Sequence, residues 1–299
     1  MIKRMDRPHQ LGEFLRARRE RVKPEDVGLP SDGRRRVRGL RREEVAMLAG
    51  ISADYYMRLE QGRDHRPSEQ VLRAVARALR LDDDATTHLV TLGRSGPPAG
   101  TSPGEAEAVD SELQDLLDAW TTTPALVHGP RWDVLASNAM ARALTPVSIP
   151  GTNMLRAVFL DPDVRGRYGD IEVTDAEAVA NFRASAGSDL EDPGVKALVD
   201  ELSRKSSNFA RLWAQQDVLS ALSGEQLFVH PVVGPMQLRY QTFAVGAANT
   251  LTLLVAFAAP GSREALARLA RIATELDTAS TQSLGLTWAQ PLAGSSPAA

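Results

Sequence analysis

The sequence contains no cysteine among its 299 residues. This absence excludes disulfide bonds, thiolate metal sites and a cysteine nucleophile, and it agrees with a reducing cytoplasm. Long apolar runs are also missing, since the most apolar segment, residues 250–259, is about half as long as a membrane-spanning helix must be. The first residues are polar and lack the apolar stretch of a secretory signal peptide. We therefore expect a soluble, cytoplasmic protein with no membrane partner.

The signatures of the common enzyme classes are absent as well. The sequence has no Gly-x-Ser-x-Gly motif, no phosphate-binding loop and no dinucleotide fingerprint. The histidines of its second half, His128 and His230, lack metal-ligand spacing relative to each other and to nearby acids. These absences predict a protein that is not an enzyme, with no catalytic residue, no metal and no cofactor.

What the sequence does contain is an uneven distribution of charge. Residues 1–95 carry 21 Lys and Arg against 15 Asp and Glu, a net charge of +6. The remainder carries 14 against 23, a net charge of −9. A basic first segment joined to an acidic remainder indicates that the first segment alone has a nucleic-acid partner.

Length and composition predict two domains. Residues 94–107 are rich in Gly, Pro and Ser, so they bury little and form no continuous helix, as is typical of a linker. We place the first domain at residues 1–94, the linker at 95–107 and the second domain at 108–280. The tail, residues 281–299, is expected to be frayed.

Five segments of the first domain place apolar residues at helical spacing, which predicts an all-α domain. In the most informative stretch, residues 41–62, Gly50 supplies a left-handed turn that ends one helix, and Ser52 is a good N-cap for the next. Tyr56 and Leu59 point one face of that next helix into the core. The outer face is then formed by Ala53, Asp54, Tyr55, Met57 and Arg58.

An ordinary helical hairpin would explain the Ala-x-x-x-Gly spacing alone, but the full pattern through Leu-Glu-Gln-Gly carries more information. This stretch resembles the Xre/lambda-repressor-like helix-turn-helix family, and the agreement covers all five predicted helices. The resemblance implies that the helix after Ser52 enters the major groove of double-stranded DNA. Arg58 is then the best candidate for a base contact, because its guanidinium can reach guanine O6 and N7. Asp54 would orient a neighbour or accept from cytosine N4.

Basic residues flank the predicted recognition helix on both sides. Alone they are equally typical of a solvated loop, but beside such a helix they are well placed for phosphates, which supply affinity without sequence information. The predicted DNA-contacting residues are Arg34, Arg35, Arg36, Arg41, Arg42, Ser52, Ala53, Asp54, Tyr55, Met57, Arg58, Arg63 and His65.

The second domain has a mixed pattern. Two short strands are predicted around the Gly129-Pro130 turn, followed by a small helix at residues 138–144 and a helical middle at 175–216. Three further strand-like runs follow, separated by turns short enough to make neighbouring strands antiparallel; they are residues 227–233, 236–245 and 250–258. We expect an α+β domain in which helices cover one face of an antiparallel sheet.

Residues 131–138, 206–218 and 230–234 resemble the MmyB-like ligand-binding domain, and residues 35–44 resemble the DNA-binding half of the same family. The match spans about residues 8–260. It implies a PAS-like sensor fold that holds a fatty acid or a comparable apolar molecule between sheet and helices. Ile171 departs from the family pattern, which usually has a tryptophan after the aspartate, and this change is expected to reshape the pocket.

A pocket for such a ligand needs apolar walls and a few polar anchors. His230 and Arg239 are the plausible partners of a carboxylate, by charge type alone. Core packing is the alternative for the aromatic residues. The predicted ligand-binding residues are Trp132, Asn138, Phe159, Tyr168, Phe182, Phe209, Trp213, His230 and Arg239.

The sequence as a whole predicts a homodimeric, sequence-specific transcriptional regulator that senses a small apolar ligand. Dimerisation is expected because single helix-turn-helix domains gain affinity by binding paired half-sites. In the alternative, the second domain has a filled core and only dimerises or binds a protein partner. An enzyme fused to a DNA-binding module is the more distant alternative.

Overall fold

The computed structural model describes residues 7–30, 37, 39–63, 67–93, 109–187, 190, 192–220, 222–245 and 250–286. The predicted linker at 95–107 therefore lies outside the described residues. Within the described part of the chain, no helix is long and apolar enough to cross a membrane.

Five helices form the first domain, as predicted. They are α1 (Arg7–Arg21), α2 (Arg42–Ala49), α3 (Ala53–Glu60), α4 (Glu69–Ala78) and α5 (Asp83–Gly93). Gly50 ends α2 with a φ of 70°, a conformation that costs a residue with a Cβ. The Ser52 hydroxyl accepts a hydrogen bond from the Tyr55 N–H at 3.1 Å, which confirms the predicted N-cap of α3. These two residues fix the angle between α2 and α3.

The core of this domain contains a buried ion cluster beside its apolar side chains. Tyr56 and Leu59 are fully buried, as the helical spacing predicted. One turn away, the side chain of Glu60 is 1% exposed. It accepts two hydrogen bonds from Arg19 of α1, at 2.8 and 2.9 Å, and two from Arg42 of α2, at 2.8 and 3.0 Å. One carboxylate therefore holds three helices together.

The second domain is α+β. Its helices are α6 (Ser111–Ala119), α7 (Ala139–Leu144), α8 (Met154–Leu160), α9 (Pro162–Arg165), α10 (Ile171–Ala186), α11 (Pro193–Lys205), α12 (Ser207–Ala214) and α13 (Arg263–Leu286). Its strands are β1 (Ala125–His128), β2 (Val134–Ser137), β3 (Ser223–His230), β4 (Gly234–Val245) and β5 (Leu251–Ala258).

The five strands form one antiparallel sheet in the order β2-β1-β5-β4-β3. Helix α6 packs on its outer face, where Leu117 contacts a small core with Val127 and Leu253. The other helices gather on the inner face, and strand alternation aims Phe228, Leu238 and Tyr240 toward them. The expected α+β, PAS-like architecture is confirmed.

The end of the second domain differs from the prediction. Helix α13 runs to Leu286, so residues 281–286 of the segment predicted as a frayed tail are helical, and the fraying stays a prediction. Leu266, Leu269 and Ala273 place a buried apolar stripe along the helix, at spacings of three and four residues. This stripe packs on the same cluster as Met236 and fixes the first half of the helix against the sheet.

Replacing Glu60 by Gln should lower the free energy of unfolding by about 3–5 kcal/mol, because Arg19 and Arg42 would lose the charge that compensates them.

Burial alone would raise the pKa of Glu60, but the hydrogen bonds from Arg19 and Arg42 outweigh it and hold the pKa below its ordinary value. The stabilisation is therefore present above about pH 4.3 and lost as the pH falls through the folded-state pKa. Chemical denaturation at pH 7 and pH 3 measures both effects. The exposed pair Arg73–Glu69 is the control, since Glu69→Gln should cost less than about 1 kcal/mol.

Candidate functional site

Helix α3 presents the outer face that the sequence predicted. Ala53, Asp54 and Arg58 are exposed, while Tyr55 and Met57 are half-buried at its margins. The opposite face is anchored by Tyr56 and Leu59 in the core. A rigid helix with an exposed polar stripe has the geometry that reading the major groove requires. No nucleic acid contact is tested by this geometry, so the base readers stay a prediction.

Arg58 is held in place by its own helix. Its guanidinium forms an ion pair with Asp54 one turn earlier and lies 5.6 Å from the centre of the Tyr55 ring. Asp54 therefore orients its neighbour, which was one of the two roles expected of it. A preorganised arginine loses less side-chain entropy when it bonds to a guanine edge.

The flanking arginines are placed differently from one another. Arg41 precedes α2 and is exposed, and Arg63 is exposed just beyond α3. Arg42 bonds to Glu60, so the structure gives it a role inside the domain in addition to the predicted phosphate contact. Arg34, Arg35, Arg36 and His65 lie outside the described residues.

A cavity of about 190 Å³ lies between the inner face of the sheet and helices α7, α8 and α10. Its walls are mostly apolar, with hydroxyl, amide and carboxylate groups added by a few side chains. It is lined by Pro124, Ala125, Leu126, Trp132, Ala141, Leu144, Thr145, Val147, Ser148, Met154, Val158, Tyr168, Thr174, Glu177, Ala178, Asn181, Gln226, Phe228, Leu238, Tyr240, Leu254 and Ala256.

Two of the predicted ligand-binding residues, Trp132 and Tyr168, line this cavity. The other predicted aromatic residues lie behind the wall, where edge and stacked contacts join Phe159, Phe182, Phe209 and Trp213 into one packed group. For these four residues the core-packing alternative is correct. They support the cavity wall through Trp132, whose ring meets Phe182 at 5.8 Å.

The predicted polar anchors lie elsewhere. The Asn138 side chain caps α7 and donates to backbone carbonyls of the segment before β1. His230 bonds to the Ala143 carbonyl at 3.0 Å and accepts from the Val232 and Val233 N–H groups. Arg239 is exposed on the outer face of the sheet and pairs with Glu225. None of the three lines the cavity, and Ile171 does not line it either, so a role for them in ligand binding stays a prediction that this cavity does not support.

Sequence analysis missed the face of α10 that lines the cavity. Thr174, Glu177, Ala178 and Asn181 follow the i, i+3, i+4, i+7 spacing of one helix face. The spacing was legible, but a mostly polar stripe is typical of a solvated surface. Only the sheet packed opposite turns this stripe inward.

Two family models match the sequence. The model of the MmyB-like transcription regulator ligand binding domain matches residues 109–272, and a helix-turn-helix domain model matches residues 10–89. The first match alone covers more than half of the chain. The chain belongs to the MmyB-like family. A search of the curated proteins found no match.

The MmyB-like domain and the helix-turn-helix domain are those of a ligand-responsive transcription regulator, and the pairing predicted from the sequence is confirmed. Both are regulatory families, which agrees with a protein that is not an enzyme. Within the described residues, no group of three or more His, Asp or Glu side chains is placed to hold a metal ion.

The MmyB-like domain also contacts the helix-turn-helix domain directly. Asp217, which follows α12, accepts hydrogen bonds from Arg18 at 2.7 Å and from Arg21 at 2.5 Å, both on α1. Nearby, the Ser220 N–H donates to Asp84 of α5 at 2.9 Å. Apolar residues of the two domains belong to one continuous buried cluster. DNA-binding and ligand-binding parts therefore share a packed interface.

Arg183 of α10 lies buried close to this interface. It donates to Gln216 at 2.6 Å and to the Trp213 carbonyl, and its guanidinium lies 3.7 Å from the Trp213 ring centre. Burial lowers its pKa to about 9. Burial, together with the charges of Arg183 and Arg18, also lowers the pKa of His88 in α5 to about 3. The MmyB-like domain thus acts electrostatically on a side chain of the DNA-binding domain.

Arg58→Ala should reduce the preference for the specific site over other sequences by about 1–3 kcal/mol, because the lost contact is to a base edge. Competition mobility shifts on the protein's own upstream region measure this preference. Arg41→Ala is the matched control, and it should weaken binding to all sequences equally and flatten the salt dependence. An unchanged sequence preference in Arg58→Ala would show that Arg58 does not read a base.

Acidification from pH 6.5 to 4.5 should destabilise the protein in part through His88. Its folded-state pKa is depressed, so the unfolded chain binds a proton in this range that the folded chain refuses, and stability falls with the pH. His88→Gln removes the titration, and its free energy of unfolding should fall less over the same range. Parallel curves for the two proteins would contradict the assignment.

Proposed function

We propose that this protein is an Xre-type, homodimeric, sequence-specific DNA-binding regulator whose MmyB-like domain senses a small apolar molecule. The family resemblance alone implies a fatty acid or a comparable apolar compound as that molecule. Its place of action would be the cytoplasm, where DNA is available. Two copies of α3 would contact half-sites about one helical turn apart.

The observation that carries this proposal is the double role of α10. One face of the helix lines the cavity through Thr174, Glu177, Ala178 and Asn181. Arg183, on the same helix, lies near the interface and acts on His88 of the DNA-binding domain. A ligand that moves α10 relative to the sheet therefore changes the surface on which α1 rests.

A short series of side-chain contacts connects the cavity to the interface between the two domains. Trp132 lines the cavity, its ring meets Phe182, and Phe182 meets Trp213 at 6.2 Å. Trp213 holds Arg183, and Asp217 lies four residues further along the chain, where it pairs with α1. For regulation, the ligand must bind one arrangement of these contacts more tightly than another, since equal affinity would shift nothing.

The second candidate function is a domain that only dimerises or binds a protein partner. It requires a filled core in the second domain. The cavity between α10 and the sheet favours ligand sensing over this alternative, because close-packed interiors contain few voids larger than a water molecule.

Asp217→Asn tests the coupling. Removing the charge that pairs with Arg18 and Arg21 should loosen the interface, so DNA affinity should respond less to ligand. Coupling free energies between sites are typically about 1–3 kcal/mol. Fluorescence anisotropy on operator DNA, with and without 1-hexanol, measures the ratio of the two affinities, which should move toward one in the variant.

Asp118→Asn is the matched control, because Asp118 is exposed on α6 at the outer face of the sheet. It should leave the affinity ratio unchanged. If Asp217→Asn kept the full response of DNA affinity to ligand, this interface would have no part in regulation. A wild-type protein whose melting temperature and DNA affinity ignore every apolar probe would support the dimerisation alternative.

A further inference from the structure

The cavity has an unusual charge balance for a site that resembles a fatty-acid pocket. Among the described residues that line it there is no Lys, Arg or His. Its one ionisable carboxyl group is that of Glu177, on the inward face of α10. A ligand carboxylate would thus meet a like charge and no lining cation, and desolvated like charges are costly.

Burial and nearby carboxylates raise the pKa of the two tyrosines that line the cavity, and one of these carboxylates, Asp175, is itself paired with Arg165. Burial raises the pKa of Tyr240, and the charge of Glu177 raises it further. Burial raises the pKa of Tyr168 to about 12, with an added effect from Asp175. Burial also raises the pKa of Glu177 itself. Both phenols therefore lie in the field of carboxylates.

Several polar groups line the cavity wall. They include the Glu177 carboxyl group and the hydroxyls of Tyr240 and Ser148. Gln226 uses its NH₂ group on Thr174 at 2.5 Å, which leaves its carbonyl oxygen as an acceptor. The site thus offers acceptors and hydroxyls, and a ligand that donates hydrogen bonds would satisfy them.

The volume of the cavity also limits the size of the ligand. A volume of about 190 Å³ exceeds only slightly an apolar cavity of about 150 Å³ that holds benzene. It is smaller than the roughly 300–1,000 Å³ of sites for drug-sized ligands. The ligand should therefore be about the size of a six-carbon molecule, and a long acyl chain would need the walls to move apart.

We propose that the cavity takes a small, mostly apolar molecule whose polar group is a hydrogen-bond-donating alcohol, amide or amine, and that it discriminates against ionised carboxylates through Glu177. This inference rests on the proposed function, because it names the ligand class of the same site. It narrows the apolar class and argues against the fatty-acid member of it.

Three probes of equal chain length test the inference with the full-length protein: 1-hexanol, hexylamine and hexanoate at pH 7.5. Isothermal titration calorimetry should show hexanoate binding at least about tenfold more weakly than 1-hexanol, which corresponds to about 1.4 kcal/mol. In Glu177→Gln, the gap between hexanoate and hexanol should shrink to within about threefold, and hexylamine should lose affinity. Glu225→Gln, an exposed change on the outer face of the sheet, should keep the wild-type order.

The outcomes separate the two proposals. Wild-type binding of hexanoate as tightly as 1-hexanol would overturn the ligand class and leave ligand sensing in place. Binding of none of the three probes would overturn ligand sensing and the ligand class together. If the folded Glu177→Gln variant kept the wild-type order of affinities for the three probes, a group other than Glu177 would discriminate against hexanoate. The wild-type comparison decides the ligand class even where Glu177→Gln fails to fold.

Discussion

Helix α10 is constrained on two faces, and both the cavity and the contact between the two domains depend on where it lies. Its inward face must leave a cavity against the sheet, where Glu177 and Asn181 meet Tyr240 and Gln226. Three turns from its start, Arg183 is buried among Trp213, Gln216 and the DNA-binding domain. A helix is stiff over this length, so a change on one face is transmitted to the other with little loss.

Paired charges recur at the places where elements must meet in one arrangement. Glu60 joins α1, α2 and α3, and Asp217 joins α1 to the segment after α12. Replacing such pairs with apolar residues often preserves stability, so their value lies more in selecting an arrangement than in free energy. The half-exposed Asp217 contact is the weaker of the two.

The aromatic residues show why ligand contacts are harder to predict than elements. Phe159, Phe182, Phe209 and Trp213 had the composition of a pocket, yet they pack on one another behind it. A large apolar side chain gains free energy from burial in either place, so residue type does not distinguish wall from core. His230 and Arg239 were chosen by charge. Strand alternation turns Arg239 to the outer face of the sheet, while hydrogen bonds with the backbone of Ala143, Val232 and Val233 hold His230 away from the cavity.

Local chemistry determined a good deal of this protein from sequence alone. Gly50, Ser52 and the Tyr56–Leu59 spacing defined the helix-turn-helix because capping and helical periodicity act within a few residues. The short alternating runs defined the antiparallel strands for the same reason, although the turn predicted at Gly234-Pro235 lies at residues 231–233 and Gly234 already begins β4. Tertiary structure alone decided that the polar stripe of α10 faces inward and that Asp217 meets α1. Those outcomes depend on which surface packs opposite, and that partner is far away along the chain.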